Sequence, residues 1–194
     1  IRKEIKLIGG SEKLSFENAL KYAQFVEQKT GVRRAFILAI LKQESNWGQN
    51  TGTSIYLDAL SGCVSNKKEQ YVDNYEDALA TAQRRENVFL KIIKELNLPE
   101  TTLVSACPRS YKGTGGALGP AQFMPDTWLG YKEEAMNLKG SSVSPFDVQD
   151  AMLAMGIKLA RAGANSQIEQ AEWKAAMIYF AGGNWDNPEF SFYG

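Results

Sequence analysis

Between Val32 and Gln43 the chain carries an apolar run, Ala35-Phe36-Ile37-Leu38-Ala39-Ile40-Leu41. Its spacing predicts a helix that is apolar on nearly every side, and such a helix is stable only when other elements surround it. That segment asks for helices packed around a helix, and the rest of the chain offers them. Ser15 predicts an N-cap for a helix from Phe16 to about Lys29, with Ala19, Leu20, Ala23 and Val26 on one face and Gly31 as its stop. Asp73-Asn74-Tyr75-Glu76 reads as a capping box that opens a helix, or a broken pair, running to about Leu96 before Pro99. A short helix is expected over Pro120 to Met124, then one from Pro125-Asp126 to about Met136. Ser144-Pro145 predicts the start of a helix to Ala162, and the last helix is expected from Ile168 to Ala181, before Gly182-Gly183. Strand alternation is scarce, and Thr101 to Gly119 reads as a structured loop. Six or seven helices on one core, in a single domain spanning residues 1–194, is the expectation.

Composition narrows the chemistry. The 194 residues contain no histidine, which removes triads, imidazole bases and histidine zinc sites. Two cysteines cannot build an all-cysteine zinc site or an iron–sulfur cluster. Proton transfer is left to carboxylates. Lys plus Arg number 22 and Asp plus Glu number 22, so the basic footprint of a nucleic-acid binder is missing. No apolar run approaches the roughly 18 residues of a membrane span. The chain starts at Ile1, which suggests a processed or excised piece whose signal or anchor is not visible.

Glu44 stands out on physical grounds. Ile37, Ile40 and Leu41 lie seven, four and three residues before it, so Glu44 continues the apolar stripe at the helix C-terminus. Lost hydration and the negative end of the helix dipole both favour the protonated carboxyl. A glutamic acid kept protonated in this way suits general-acid work near neutral pH. The plain alternative is a carboxylate that snorkels to water at a frayed helix end. Gln43, Ser45, Asn46, Trp47, Gly48 and Gly52 around it make a polar, aromatic and glycine-rich exit, a composition suited to the lip of a sugar-binding cleft.

Four stretches carry a resemblance. Glu44-x-x-Trp47-Gly48-x-x-x-Gly52 resembles the first signature of lytic transglycosylases of the membrane-bound type B family. Gly116-Ala117-Leu118-Gly119-Pro120-Ala121-Gln122-Phe123-Met124-Pro125 resembles the family's second motif, and Asp147-x-x-Asp150-Ala151 the motif that opens a later helix. Ile178-Tyr179-Phe180-Ala181-Gly182 is similar to the Tyr-Asn-Ala-Gly element of lysozyme-like transglycosylases, with Phe180 in the place of Asn. The motifs run in the family's order from about residue 35 to 185.

The resemblance implies a lysozyme-like, all-α domain with a cleft, acting on peptidoglycan glycan strands outside the cytoplasm, without a cofactor. It implies cleavage of the β-1,4 bond between N-acetylmuramic acid and N-acetylglucosamine, leaving a 1,6-anhydromuramoyl end, with Glu44 as the single acid and base. The rivals are a hydrolytic muramidase and a non-catalytic wall-binding module. A muramidase needs a second carboxylate, for which Asp58, Asp126 and Asp186 are the candidates, although each also reads as a surface, cap or turn residue. By resemblance Gln122 and Tyr179 line the cleft, the Tyr179 hydroxyl orienting Glu44 or the substrate. Ser45, Trp47, Phe123, Met124 and Asn184 are further candidate substrate contacts. Trp128 is a possible stacking platform that reads better as core, as Phe123 and Met124 also can. Cys63 and Cys107 are expected to pair, given the extracytoplasmic setting that the resemblance implies. No calcium-loop pattern is present, so no metal is expected. A monomer is assumed.

Overall fold

The computed structural model of the chain describes residues 14–109 and 113–193. Eight α-helices carry the architecture: α1 (Phe16–Thr30), α2 (Arg34–Ser45), α3 (Tyr56–Ala59), α4 (Ser61–Asn66), α5 (Tyr75–Glu95), α6 (Pro125–Lys139), α7 (Val148–Arg161) and α8 (Glu169–Ala181). Among the described residues the only β pairings are two isolated bridges, Ser54 with Val104 and Leu118 with Phe123.

The wholly surrounded helix is α7. Asp150 to Ile157 and Leu159 are all buried, and α1, α2, α6 and α8 pack against it. The apolar run of α2 predicted that position for α2 itself. Only Ile37, Ile40 and Leu41 of that run are buried, Phe36 and Leu38 are partly covered, and Ala35 and Ala39 are exposed. The reason lies in its neighbours. α2 packs on α1 and α7 on one side, while Phe36, Ala39 and Ile40 face an open groove shared with Trp173 of α8. Alanine tolerates either environment, so the run overstates the burial.

Local signals set the helix ends. Ser15 caps α1 by accepting the Asn18 N–H at 3.2 Å, and Gly31 ends it at φ 73°. α5 is unbroken and starts one residue later than its capping-box signature suggests, with Asn74 rather than Asp73 at the cap. α6 begins at Pro125 and stops at Gly140. Pro120 to Met124 form no helix: the chain makes a tight turn there, closed by the Leu118–Phe123 bridge, with the Leu118 N–H donating to the Phe123 carbonyl at 2.8 Å. α7 starts after Ser144-Pro145, at Val148, because Asp147 takes the cap by accepting the Asp150 N–H at 3.0 Å. The Asp150 carboxylate, buried in turn, accepts the Ser144 N–H at 3.0 Å and pairs with Lys139 at the end of α6. Replacing Asp147 by Ala removes that cap, and a loss of about 1 kcal/mol is expected. For a domain of this size it should appear as a melting temperature lower by roughly 2–4 °C.

The long segment between α5 and α6 is held to the rest by covalent and backbone links. Cys63 on α4 and Cys107 form a disulfide, with Cα atoms 5.5 Å apart. The Val104 N–H donates to the Ser54 carbonyl at 2.9 Å, which pins the same segment to the loop after α2. Residues 110–112 of the predicted loop lie outside the described residues.

Candidate active site

The C-terminal end of α2 opens on a cleft of about 610 Å³. Glu44 lies on its wall, facing residues 105–108 and 114–117, the turn at Gln122 to Met124, Lys158 of α7 and Tyr179 to Gly182 at the end of α8. Asn46, Trp47 and Gly48 take φ values of 49°, 63° and 77°, so three left-handed residues in succession end the helix directly after the acid. Ser45 holds this turn: its buried hydroxyl donates to the Leu41 carbonyl at 3.3 Å and accepts the Gly48 N–H at 2.9 Å. With 1% of Ser45 exposed, the side chain expected to touch substrate serves the backbone instead. Gly52 then passes so close to the neighbouring segment that a Cβ would fall 2.4 Å from the Val104 carbonyl. That close approach is what the last glycine of the first motif permits.

The second motif builds the opposite wall. Gly119 turns at φ 55°, where a Cβ would fall 2.0 Å from the Pro145 carbonyl oxygen. Gln122, also left-handed at φ 51°, donates its amide to the Gly119 carbonyl at 2.7 Å and to the Thr51 carbonyl at 3.4 Å. Gln122 therefore ties this turn to the loop that follows Glu44, while its side chain lines the cleft. Phe123 forms floor and core together, 2% exposed, with its ring 5.9 Å from that of Tyr179 and 6.0 Å from that of Trp128. Met124 lines the cleft at the cap position of α6. Trp128 is core.

Burial dominates the electrostatics of Glu44. It pushes the carboxyl up to about 7, against the opposing pull of a hydrogen bond from Tyr193 and the charge of Lys158. The sheltered acid read from the stripe is thus present. Its phenolic partner is Tyr193, whose hydroxyl donates to Glu44 Oε1. Tyr179 had been expected in that role. Its hydroxyl instead donates to the Ala121 carbonyl at 2.6 Å, because a fully buried phenol takes the nearest backbone acceptor. Tyr193 is delivered by the turn after α8, and its ring stacks on Phe180 with centroids 4.8 Å apart. Phe180 is 43% exposed and lines the cleft, an aromatic face where the motif elsewhere carries an amide.

The structure brings Glu44, Gln122, Phe123, Met124 and Tyr179 to one cleft. Trp47 and Asn184 are not among the residues lining it. Tyr193 and Lys158 had escaped the sequence reading. Tyr193 sits in an aromatic tail, Phe190 to Tyr193, with no periodicity to place it, and Lys158 lies within the run of buried residues on α7, where no motif marks it. Asp126 is no cap: it lies in the first turn of α6 and bonds Arg85 Nε at 3.1 Å. Asp58 and Asp186 are exposed. Among the described residues, no group of three or more His, Cys, Asp or Glu is placed to hold a metal ion, and no helix is long and apolar enough to cross a membrane.

The described residues thus form an all-α domain whose cleft holds Glu44 at the end of the buried stripe of α2. The chain belongs to the transglycosylase SLT domain family, whose model matches residues 9–186. Its fold is similar to that of the lytic transglycosylase Slt35 of Escherichia coli, solved with calcium, at 22% identity and a TM-score of 0.53, covering 76% of this chain and 41% of that one. The same Slt35 match is found in its complex with bulgecin A. Soluble lytic transglycosylase SltB1 of Pseudomonas aeruginosa gives 21% identity and a TM-score of 0.54, covering 76% of this chain and 44% of that one. At these identities the likeness is one of fold, and the chain spans less than half the length of these relatives. No curated protein matches it.

Proposed function

We propose that this domain is a peptidoglycan lytic transglycosylase. It cleaves the β-1,4 bond between N-acetylmuramic acid and N-acetylglucosamine, forms a 1,6-anhydromuramoyl end, and works with Glu44 alone as acid and base. One observation carries the reading: among the described residues lining the cleft, Glu44 is the only carboxylate. Retaining hydrolysis needs a second carboxylate about 5–5.5 Å from the first, and inverting hydrolysis one at roughly 6.5–9.5 Å. Asp126, the acid closest to the wall in the chain, is engaged with Arg85.

In the first half of the reaction the Glu44 proton passes to the glycosidic oxygen as the bond to the muramoyl C1 breaks. The carboxylate left behind takes the proton of the muramoyl C6 hydroxyl while that oxygen bonds to C1. The proton count closes, and no water is consumed. Tyr193, bonded to Glu44 Oε1, fixes the rotamer of the carboxyl through both halves. Gln122, Met124 and Phe180 are the side chains best placed to meet the sugars, with Trp47 and Asn184 further out. The domain acts on glycan strands as a single unit outside the cytoplasm, a setting that the Cys63–Cys107 disulfide suits.

Mass spectrometry of purified sacculi digested by the protein tests this reading. Soluble muropeptides ending in anhydromuramic acid are expected. Reducing muramic acid ends would assign a muramidase, and binding without release a wall-anchoring module.

A further inference from the structure

Lys158 is out of place by the logic of its helix. On α7 every residue from Asp150 to Ile157 is buried, and Leu159 after it is buried too. The Lys158 ammonium lies 4.2 Å from the ring centroid of Tyr179 and 5.7 Å from that of Phe123, and it donates to the Tyr179 carbonyl at 3.0 Å. Packing gives no reason for a charge there, since a Leu or Met would fill the space between two aromatic rings. An ammonium in such a place carries a desolvation cost that one carbonyl and two rings offset in part and that a carboxylate would offset further. Among the described residues lining the same cleft, the carboxylate is Glu44.

We propose that Lys158 is a positioning residue of this site: a fixed positive charge, held by the Tyr179 carbonyl and the Phe123 and Tyr179 rings, that stabilises the Glu44 carboxylate in the interval after its proton has gone to the glycosidic oxygen. The inference rests on the transglycosylase reading given above. Glu44 has two incompatible tasks, to arrive with a proton and then to exist as an anion in the same sheltered place. Burial serves the first task and opposes the second. Lys158 supplies the second without a water molecule. Burial pushes Glu44 up to about 7 and draws Lys158 down to about 8, and the charge of each opposes the shift of the other.

The other groups facing the pair do not duplicate this charge. Tyr193 from the C-terminal turn bonds Glu44, and burial together with the Glu44 charge holds its phenol protonated. Tyr179 from α8 is likewise raised, with Tyr131 of α6 among its neighbours. Arg85 of α5 reaches the cleft but is paired with Asp126. Among the described residues lining the cleft, Lys158 is therefore the cation that Glu44 can use.

The test is a titration of Glu44 in protein labelled with ¹³C at the glutamate carboxyl, the signal assigned by its loss in Glu44→Gln. It is run on wild type, Lys158→Met and Lys158→Arg, beside the pH–rate profile for anhydro-end release from solubilised glycan strands. In Lys158→Met the Glu44 midpoint is expected to rise by about one pH unit, because burial then acts unopposed by a neighbouring cation. The alkaline limb of the rate profile should move up with it. The rate on the acid side should fall roughly tenfold, the equivalent of one pKa unit. Lys158→Arg should keep the wild-type midpoint. An unmoved or lowered midpoint, or an unchanged acid-side rate, overturns the proposal. If Lys158→Met does not fold, Lys158→Gln makes the same comparison. Absence of cleavage by the wild type would instead sink the transglycosylase reading, and the NMR midpoints would still report whether Lys158 and Glu44 are coupled.

Discussion

Glu44→Gln is expected to abolish release of anhydromuropeptides from sacculi, by on the order of 10³-fold or more, while glycan binding persists. The substitution keeps the shape of the side chain and replaces the ionisable OH by an amide NH2 that gives up no proton. Pelleting of the variant with sacculi checks binding, and the product assay checks turnover. Retained turnover would remove Glu44 from the mechanism. The same substitution carries a stability signature. The Glu44 carboxyl rises from 4.5 to about 7 on folding, so the folded state holds that proton more tightly than the unfolded chain. The stability this gives is fully present below about pH 4.5 and is lost as pH rises through 7. Glu44→Gln lacks that dependence. Relative to the variant, the wild type should therefore melt progressively lower as the buffer is moved across this window. A gain of stability on removing a catalytic group is the usual sign of a residue kept for chemistry at the expense of the fold.

Loss of the Cys63–Cys107 bridge should be the largest purely structural effect. The cysteines are 44 positions apart, and closing a loop of about that length is worth roughly 4 kcal/mol in the chain-entropy model. A domain of this size would lose on the order of 10 °C in melting temperature. The double variant Cys63→Ser/Cys107→Ser, or reduction of the wild type, should show that loss in a calorimetric scan. Turnover should suffer as well, beyond the stability cost. The bridge anchors the segment carrying Ser105, Ala106 and Pro108, which forms one bank of the cleft. A melting temperature unchanged by reduction would mean that the hydrogen bonds of this segment, to Ser54, Lys67 and Ala117 among others, hold it without the bridge.

Residues whose local chemistry and tertiary role coincide were legible in the sequence. Ser15 and Gly31 bound α1 because a cap needs only its own neighbours. Glu44 was legible because a stripe of Ile37, Ile40 and Leu41 leads into a carboxylate, and the polar, aromatic and glycine-rich turn after it weighed against a side chain that merely reaches water. Gly52 and Gln122 were reached through motif resemblance, and the structure supplies their physical reasons in a backbone contact with Val104 and a hydrogen bond to Thr51. Other features needed the third dimension. The short helices α3 and α4 depend on the disulfide and on packing against α5 rather than on periodicity. Pro120 to Met124 looked helical by composition, but the left-handed Gly119 and Gln122 convert it into a turn. Tyr193 was missed as the partner of Glu44, since its place is set by the turn after α8 and its stacking on Phe180, while Tyr179 turns to the Ala121 carbonyl. Lys158 is the clearest case. On a helical wheel it is a charge on an apolar face, and only the fold shows that it shares a cleft with Glu44.

The acid and the phenol that bonds to it are 149 positions apart, near opposite ends of the described chain. Cleavage of the backbone in the turn after α8 would therefore leave the acid in place and strip away the hydroxyl that orients it, so a chain intact through Tyr193 is a condition for a held carboxyl.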